Sequence, residues 1–594
     1  MKKIYYILIA VAAGMGMTGC QSELEENFKD PGVYAPTTEV VSGMFTTLAS
    51  NGRTGFVYDY GDWWHQADAG GYLWYCELYA RYYGTRYAWL ADLADPKNSY
   101  DPDGLQNTVF NVTYSNFKEL PLMSLELAKL SEEEQKDLTI YVALAELLFN
   151  TRITWSVDIY NSIPYFDALK GIEGVFFAAY DDPKEIYLNA LDVIKKRSDE
   201  LISTYEGMSD EGKKKFTTQD VIFRGDARKW LAYADAMRLR LAVRISGVLP
   251  DEARTIIGEV LSRGNLPTED LEIEPQEWFR SNRSAGDGGT YRRAMRERDY
   301  AGFIPPLLTE IMSRDGKDEY TPGVDDPRMP VLFTGAKGSD LATGLYVFRP
   351  ANMDCESATV LYNDGGGAGG EYGYITDYNS YVDPERYIKT NWYMCWNIAT
   401  YPWNHDPLPA FTVGEVELLK AEIALKNLGN TGATAEQHIY NAILHSTDYW
   451  YRHNAYNQWV GTGADPSPEV RQFLQPAKPD AATIAAFADV VKNDYLGAAD
   501  VEAKMEIIMQ QKYVHLNVHN PQELFTELRR TRHPKLNPLV FNASTVIHTV
   551  VNRIPYPQSE SANNFEQYSK VMDQDNFTSP IFWMDKPEVS FYKY

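Results

Sequence analysis

Few side chains in this sequence are spaced for chemistry, and each pattern stops short of a complete site. His515 and His519 stand four apart in a helical stretch, where two imidazoles could face one metal ion. No Glu sits beside the first as in HExxH and no third ligand is evident, so they read as surface histidines. Asp101-Pro-Asp-Gly104 begins like a calcium loop, but the later carboxylates are missing and Pro102 restricts the backbone. The glycine-rich run at 365–370 lacks a following Lys-Ser/Thr and reads as a loop that cradles no phosphate. With 82 acidic residues scattered along the chain, no carboxylate pair for general acid/base work stands out. Arg292, Arg293, Arg296 and Arg298 form a basic cluster, read as a solvated face, with an anion site or docking patch as the alternative. No catalytic residue, metal or cofactor is expected.

Aromatic side chains are the better candidates, because the flat C–H face of a sugar stacks on a ring while its hydroxyl rim takes hydrogen bonds. Three stretches qualify. Residues 58–89 hold Trp63, Trp64, Trp74, Trp89 and a run of tyrosines between glycines; residues 387–403 hold Tyr387, Trp392, Tyr393, Trp396, Tyr401 and Trp403. Residues 449–459 hold Tyr449, Trp450, Tyr451, Tyr456 and Trp459. Most of these rings are expected to fill the core of a loop-rich region. The ligand-binding candidates are Trp63, Trp64, Trp392 and Trp396 as stacking platforms, with Arg81 or Asn391 supplying polar contacts.

The chain that must position them has 594 residues and a net charge of −26, a balance that repels nucleic acid and anionic membrane surfaces. Its N-terminus carries Lys2 and Lys3, an apolar run over 4–13, then small residues ending in Gly19-Cys20. That run is shorter than the roughly 20 residues a transmembrane helix needs, and it has the layout of a secretory signal. A cysteine right after a small residue is the bacterial lipobox pattern, so Cys20 is expected to be acylated and to become the mature N-terminus. The acidic stretch behind it, 21–26, resembles the export signal that sends Bacteroidetes lipoproteins to the cell surface. Cys76, Cys355 and Cys395 remain, enough for at most one disulfide and without CxxC metal spacing.

Beyond a tether to about residue 36, apolar periodicity predicts helices over 38–49, 113–130, 133–156, from Pro183 onward, and over 226–246. In the last, Trp230, Tyr233, Met237, Leu241 and Ile245 give the buried stripe, while Arg228, Lys229, Arg238, Arg240 and Arg244 are expected to snorkel outward. Regular patterning fades between about 265 and 410. It returns over 412–428, 434–444, 482–491 and 501–530. The first two of these form a helical hairpin, with Gly429 available to end the first helix and Ala421, Ala424, Ala435 and Ala442 allowing close approach. Long helix pairs without strands suggest a stacked scaffold of tetratricopeptide type.

Several segments in this order resemble the SusD/RagB family of outer-membrane lipoproteins. They are the lipobox, Phe223-Arg-Gly-Asp-Ala-Arg-Lys-Trp230 with Leu239-Arg-Leu-Ala-Val-Arg-Ile-Ser246, Asp326-Pro-Arg-Met329, and Glu415-Val-Glu-Leu-Leu-Lys-Ala-Glu-Ile-Ala-Leu425. Gln510-Gln-Lys-Tyr513, Asn520-Pro-Gln-Glu-Leu-Phe525, Leu528-Arg-Arg-Thr-Arg-His-Pro534 and Asn552-Arg-Ile-Pro-Tyr-Pro-Gln-Ser-Glu560 complete the set. The resemblance implies a mostly α, single SusD-like domain with a tetratricopeptide-like helix-pair scaffold and a large irregular loop-rich insertion. On that reading 1–19 is the signal peptide, 20–36 the lipidated acidic tether and 37–594 the domain. Its helical scaffold spans about 105–264 and 411–533, and its loop-rich ligand region about 58–100 and 265–410. The resemblance further implies a lipid-anchored protein of the outer membrane, facing the cell exterior. It would capture oligosaccharides and deliver them to a SusC-like TonB-dependent transporter. The alternatives are an oligopeptide ligand, a surface glycoside hydrolase or a pure interaction scaffold. Trp230, Glu422 and Arg530 read as packing or ion-pair residues, and Asp326-Pro-Arg as a turn.

Overall fold

The computed structural model describes residues 38–50, 110–273, 304, 306–336, 338–340, 343–349, 396, 397, 399, 400, 407–456, 468–517, 520–537, 539–542, 545–547, 552–590 and 593. Helices dominate them, and their starts follow local chemistry. After α1 (Thr38–Ser50) and α2 (Leu120–Ala128) comes α3 (Glu132–Tyr160), whose first turn is closed by a reciprocal capping box between Ser131 and Glu134. Asp182 caps α4 (Pro183–Gly207), where Pro183 fills a position whose N–H has no helical partner. α5 (Asp210–Gln219), α6 (Ala227–Ile245) and α7 (Pro250–Arg263) complete the first group. After α8 (Pro306–Met312), the second group contains α9 (Val413–Leu425), α10 (Ala435–Tyr456), α11 (Pro468–Leu474), α12 (Ala481–Gly497), α13 (Val501–Leu516) and α14 (Pro521–Thr531).

Several boundaries differ from expectation. The stretch 501–530 is two helices, because Pro521 cannot donate to a continuing helix and Asn520 instead caps the backbone N–H of Glu523. α10 runs three turns past the expected end at 444, so Tyr449, Trp450 and Tyr451 are helical rather than part of a loop. Asn427, at φ 53°, takes the left-handed turn after α9. Gly429 serves close packing instead: a Cβ there would lie 2.9 Å from Ile257.

Within the first group α3 packs along α4, α4 on α6, and α6 on α7, with α1 and α2 against α3. In the second, α9 pairs with α10, α10 with α12, and α13 lies across α9 and α14. Buried Ala421, Ala435 and Ala442 sit in the core between α9, α10, α12 and α13, as small residues at a close helix crossing should. Strands are few among the described residues. β1 (Leu271–Ile273) pairs antiparallel with β2 (Leu408–Phe411), Leu271 opposite Phe411, and β3 (Leu539–Asn542) with β4 (Thr545–Ile547), Leu539 opposite Ile547. No described helix is long and apolar enough to cross a membrane.

The two groups meet where α6 touches α9, and ion pairs cross that contact beside Val416, Leu419 and Ile423, which share one apolar core with α6. Arg238, Arg240 and Arg244 are buried, contrary to the expectation that they snorkel outward; Arg228, in the first turn, does face solvent. The stripe argument fails because α6 is enclosed, with α4 and α7 on its own side and α9 on the other. Arg240 grips Glu415 of α9 with two bonds of 2.7 and 2.8 Å. Arg244 reaches Asp158 of α3 at 2.7 Å and also Glu523 of α14. Lys512 of α13 stands 3.4 Å from Glu523 and 3.3 Å from Glu527, and Arg530 holds Glu422 through two bonds of 2.7 Å and Glu527 at 2.6 Å. The ion-pair reading of Glu422 and Arg530 is thus borne out. Trp230 is buried as well, its indole donating to Asp220 at 2.8 Å.

Removing one member of such a network strands its partners in low dielectric, at a cost of about 3–5 kcal/mol. Arg530→Leu should therefore melt well below the parent, whereas Arg228→Ala, at an exposed site, should change stability by no more than about 0.5 kcal/mol. Equal melting of the two variants would show that the network does not hold the groups together. The pH dependence has a definite sign. Burial opposes ionisation of Glu422, Glu523 and Glu527, yet Arg530 and Lys426, Arg244 and Arg240, and Arg530 and Lys512 respectively outweigh it and keep each carboxyl below its usual range. Stability from these groups is complete above their unfolded pKa of roughly 4.3 and is lost as pH falls below it. His515 adds to the loss from higher pH. Burial first, then Arg328, lowers its imidazole to about 3, so between about pH 6.5 and 3 the unfolded chain binds a proton that the folded one refuses. Thermal melts should fall from about pH 6.5 downward, most steeply below about 4.5, and His515→Asn should flatten the upper part of that curve.

Candidate functional site

Trp63, Trp64, Arg81, Asn391 and Trp392 lie outside the described residues, as do Cys20, the three remaining cysteines, Asp101-Pro-Asp-Gly104, the arginines at 292–298, the glycine run, His519 and Trp459. Trp396 is described, and it is a core residue: 2 % exposed, with its ring 5.3 Å from that of Phe333. A ring enclosed in this way offers no face to a ligand, which corrects its expected stacking role. Tyr449 and Trp450 are likewise buried on α10 and belong to the core shared with Phe333, Trp396 and Tyr513. His515 is no surface histidine either. Its Nε2 lies 2.6 Å from the Thr412 hydroxyl and its Nδ1 3.0 Å from that of Ser446, and a Cβ on Gly414 would lie 2.7 Å from the ring. Both ring nitrogens are spent on hydroxyls, so the residue is a packing and hydrogen-bonding element.

Tyr451 behaves differently from its two neighbours. Its ring reaches the wall of a cleft of about 860 Å3, within the usual range for ligand sites. Three segments surround it: residues 320–330 after α8, residues 343–346, and residues 472–483 linking α11 to α12. The sequence places these segments apart in an irregular interval and a helix connection, and no periodic signal joins them.

What brings them together is a set of fixed polar contacts. Arg328, fully buried, donates to both oxygens of Asp326 at 2.9 and 2.6 Å, to Ser446 on α10 at 3.1 Å and to Gln511 on α13 at 2.7 Å. The Asp326-Pro-Arg turn is therefore a clamp that pins the 320–330 segment to two scaffold helices. Asp325 takes the backbone N–H groups of Arg314 and Thr321, closing the loop before it. Opposite, the rings of Phe348, Tyr346 and Phe473 form a column with centroids 5.6 and 4.2 Å apart and near-parallel planes. The Tyr346 hydroxyl donates to the Phe473 carbonyl at 2.9 Å, and the Tyr451 hydroxyl to that of Pro327 at 2.9 Å. Burial, then Asp326 and Asp325, raises the Tyr320 phenol well above its usual range, so it stays neutral.

A second cleft of about 680 Å3 lies across Tyr451 and Pro476. It carries charges, but they are engaged with neighbours: Lys478 with Asp448, and Arg452 with Asp270 and Glu272 at 2.6 Å each. His453 completes that cluster through Glu272 at 2.9 Å. Among the described residues no three His, Cys, Asp or Glu side chains converge as metal ligands.

A family model described as SusD-like, starch-binding and associating with the outer membrane, matches residues 87–557. No curated protein matches. Among solved structures, a chitin-binding protein superposes with a TM-score of 0.63 at 19% identity, over 92% of this chain and 99% of its own. A SusD homologue from Bacteroides fragilis gives 0.61 at 16% identity, over 91% and 99%. A chitin-binding SusD homologue from Flavobacterium johnsoniae gives 0.57 at 16% identity, over 93% and 100%. At these identities the structural likeness concerns the fold, and it matches the helical single-domain architecture expected from the sequence.

Core burial of the α10 aromatics has a measurable consequence. Trp450→Ala should cost about 3–5 kcal/mol of stability, as large-to-small changes of buried aromatics do. A thermal melt within a degree or two of the parent would mean that Trp450 is not a core residue.

Proposed function

Since the match over residues 87–557 shows that the chain belongs to the SusD-like family, we propose that it is a surface nutrient-binding lipoprotein that captures glycans and passes them to a TonB-dependent outer-membrane transporter. Family membership is the observation that carries this reading. The lipobox at Cys20 supports an outer-membrane anchor, and the acidic stretch behind it supports exposure on the outer face. Two of the structurally similar proteins are chitin-binding, which supports a saccharide as the ligand class. A rigid scaffold bearing irregular loops suits binding, because loops carry recognition while helices fix their position. We place Trp63, Trp64 and Trp392 on an aromatic platform for the ligand, with Arg81 or Asn391 as hydrogen-bonding partners.

One experiment on native membranes addresses anchor and partner together. Mild-detergent extraction of the affinity-tagged full chain should recover a β-barrel transporter in the same complex, across an interface larger than about 2,000 Å2. Cys20→Ala should leave the protein soluble or with its signal uncleaved. Recovery of the lipoprotein alone, with the partner gene expressed, would refute the partnership; a Cys20→Ala chain that still sediments with outer membrane would refute the anchor. Calorimetry on Trp63→Ala and Trp392→Ala should show affinity lower by roughly ten- to a hundred-fold with little change in melting, as each stacked ring contributes about 1–3 kcal/mol.

A further inference from the structure

None of the fourteen described residues lining the larger cleft carries a charge, although 23% of the chain does, a frequency at which about three would. Charged side chains beside the lining are engaged: Lys478, between Ala477 and Pro479, with Asp448, Asp326 with Arg328, and Asp325 with two backbone N–H groups. The walls are instead the proline rings of Pro322, Pro330, Pro476 and Pro479 together with Tyr320, Tyr346 and Tyr451. Tyr320 is half-buried, and among the described residues its hydroxyl has no partner; the same holds for the exposed side chains of Thr343 and Gln472. The site therefore combines flat apolar walls with neutral donors and acceptors that are still unspent.

We infer that this cleft is a binding site for an uncharged saccharide chain. The inference rests on the glycan-binding reading above and names its ligand class. A sugar ring offers C–H groups to the prolines and tyrosines and hydroxyls to Tyr320, Thr343 and Gln472. A uronate or sulfate entering the same space would give up hydration with no cation among the described lining residues to replace it, since Lys478 beside the lining is paired with Asp448, and burying an unpaired charge is strongly unfavourable. The acidic surroundings of a chain with net charge −26 add to that exclusion at long range. The cleft also has a fixed shape, because the Arg328 clamp and the Phe348–Tyr346–Phe473 column hold two of its sides before any ligand arrives. A preformed site spends little of its binding free energy on ordering itself.

The test uses the full-length chain purified in detergent. It is titrated calorimetrically with neutral oligomers of hexoses and of N-acetylhexosamines, and with oligogalacturonate and a sulfated oligosaccharide. A neutral oligomer should bind with an affinity unchanged between low and high salt, while the anionic ones should not bind measurably. Tyr320→Phe, which removes only the unspent hydroxyl, and Thr343→Trp, which fills the mouth, should each weaken at least tenfold a neutral-oligomer binding event that Trp63→Ala and Trp392→Ala leave in place, while the melting temperature stays near the parental value. Neutral binding unaltered by both substitutions would overturn the cleft assignment and leave the glycan reading intact. Preferential, salt-dependent binding of the anionic oligomers would overturn the ligand class. Binding of a neutral proline-rich peptide with no saccharide bound by the chain would overturn this inference and the glycan reading together.

Discussion

The arrangement of the molecule depends on one constraint: the arginines of α6 are inside it. A guanidinium taken out of water loses several kcal/mol of solvation, which only well-placed carboxylates return. Arg240 and Arg244 find theirs on three other helices, through Glu415 on α9, Asp158 on α3 and Glu523 on α14. A slip of α6 by one residue would swing both guanidiniums by about 100° and take an arginine partner from three carboxylates at once. Apolar residues of the same volume would tolerate such a slip far better. The ionic contact thus sets the registry between the two helix groups, and the apolar core that runs across the junction through Val416, Leu419, Ile423 and Phe525 supplies burial around it. The continuation through Lys512, Glu527, Arg530 and Glu422 carries the same requirement into α9 and α14.

Much of this was legible in the sequence, and where it was not the reason is physical. Helix starts expected from apolar periodicity near 133 and 412, and from Pro183, lie within a residue or two of local caps: Ser131 with Glu134, Asp182 before Pro183, and Thr412 accepting from the N–H of Glu415. Burial of arginines could not, since a one-sided stripe looks the same whether the opposite face meets solvent or another helix bearing acids. The stretch 449–459 misled for a related reason. Aromatic density without a clear period suggests loops, yet α10 simply continues through it to Tyr456, because Tyr449 and Trp450 find a core between α10, α13 and the segment around Phe333. His515 looked exposed because only its spacing to His519 was visible, and the hydroxyls that enclose it come from Thr412 and Ser446, 103 and 69 residues away.

The larger cleft was least legible of all. Its walls come from three segments whose residues are ordinary turn formers in isolation, and the Arg328 clamp, reaching Ser446 and Gln511, together with the Phe348–Tyr346–Phe473 column makes them one surface. Arg328 itself was visible as part of a turn motif, but its buried reach was not. The same holds more widely for binding surfaces built from loops, where the sequence names the residues and the scaffold decides which of them meet.

The C-terminal segment has a consequence for how the protein is made. The Trp583 indole donates to Asp158 at 2.7 Å, a bond between residues 425 positions apart, and the backbone N–H of Ile554 pairs with the Ile159 carbonyl. The buried carboxylate at the centre of the first helix group therefore takes one of its donors from a segment 425 residues further along the chain. During synthesis α3 emerges long before Arg244, Glu523 or Trp583 exists to satisfy Asp158, and no earlier fragment contains a complete set of partners. A chain elongating from its N-terminus therefore carries this buried carboxylate without its full set of donors until residue 583 has been made.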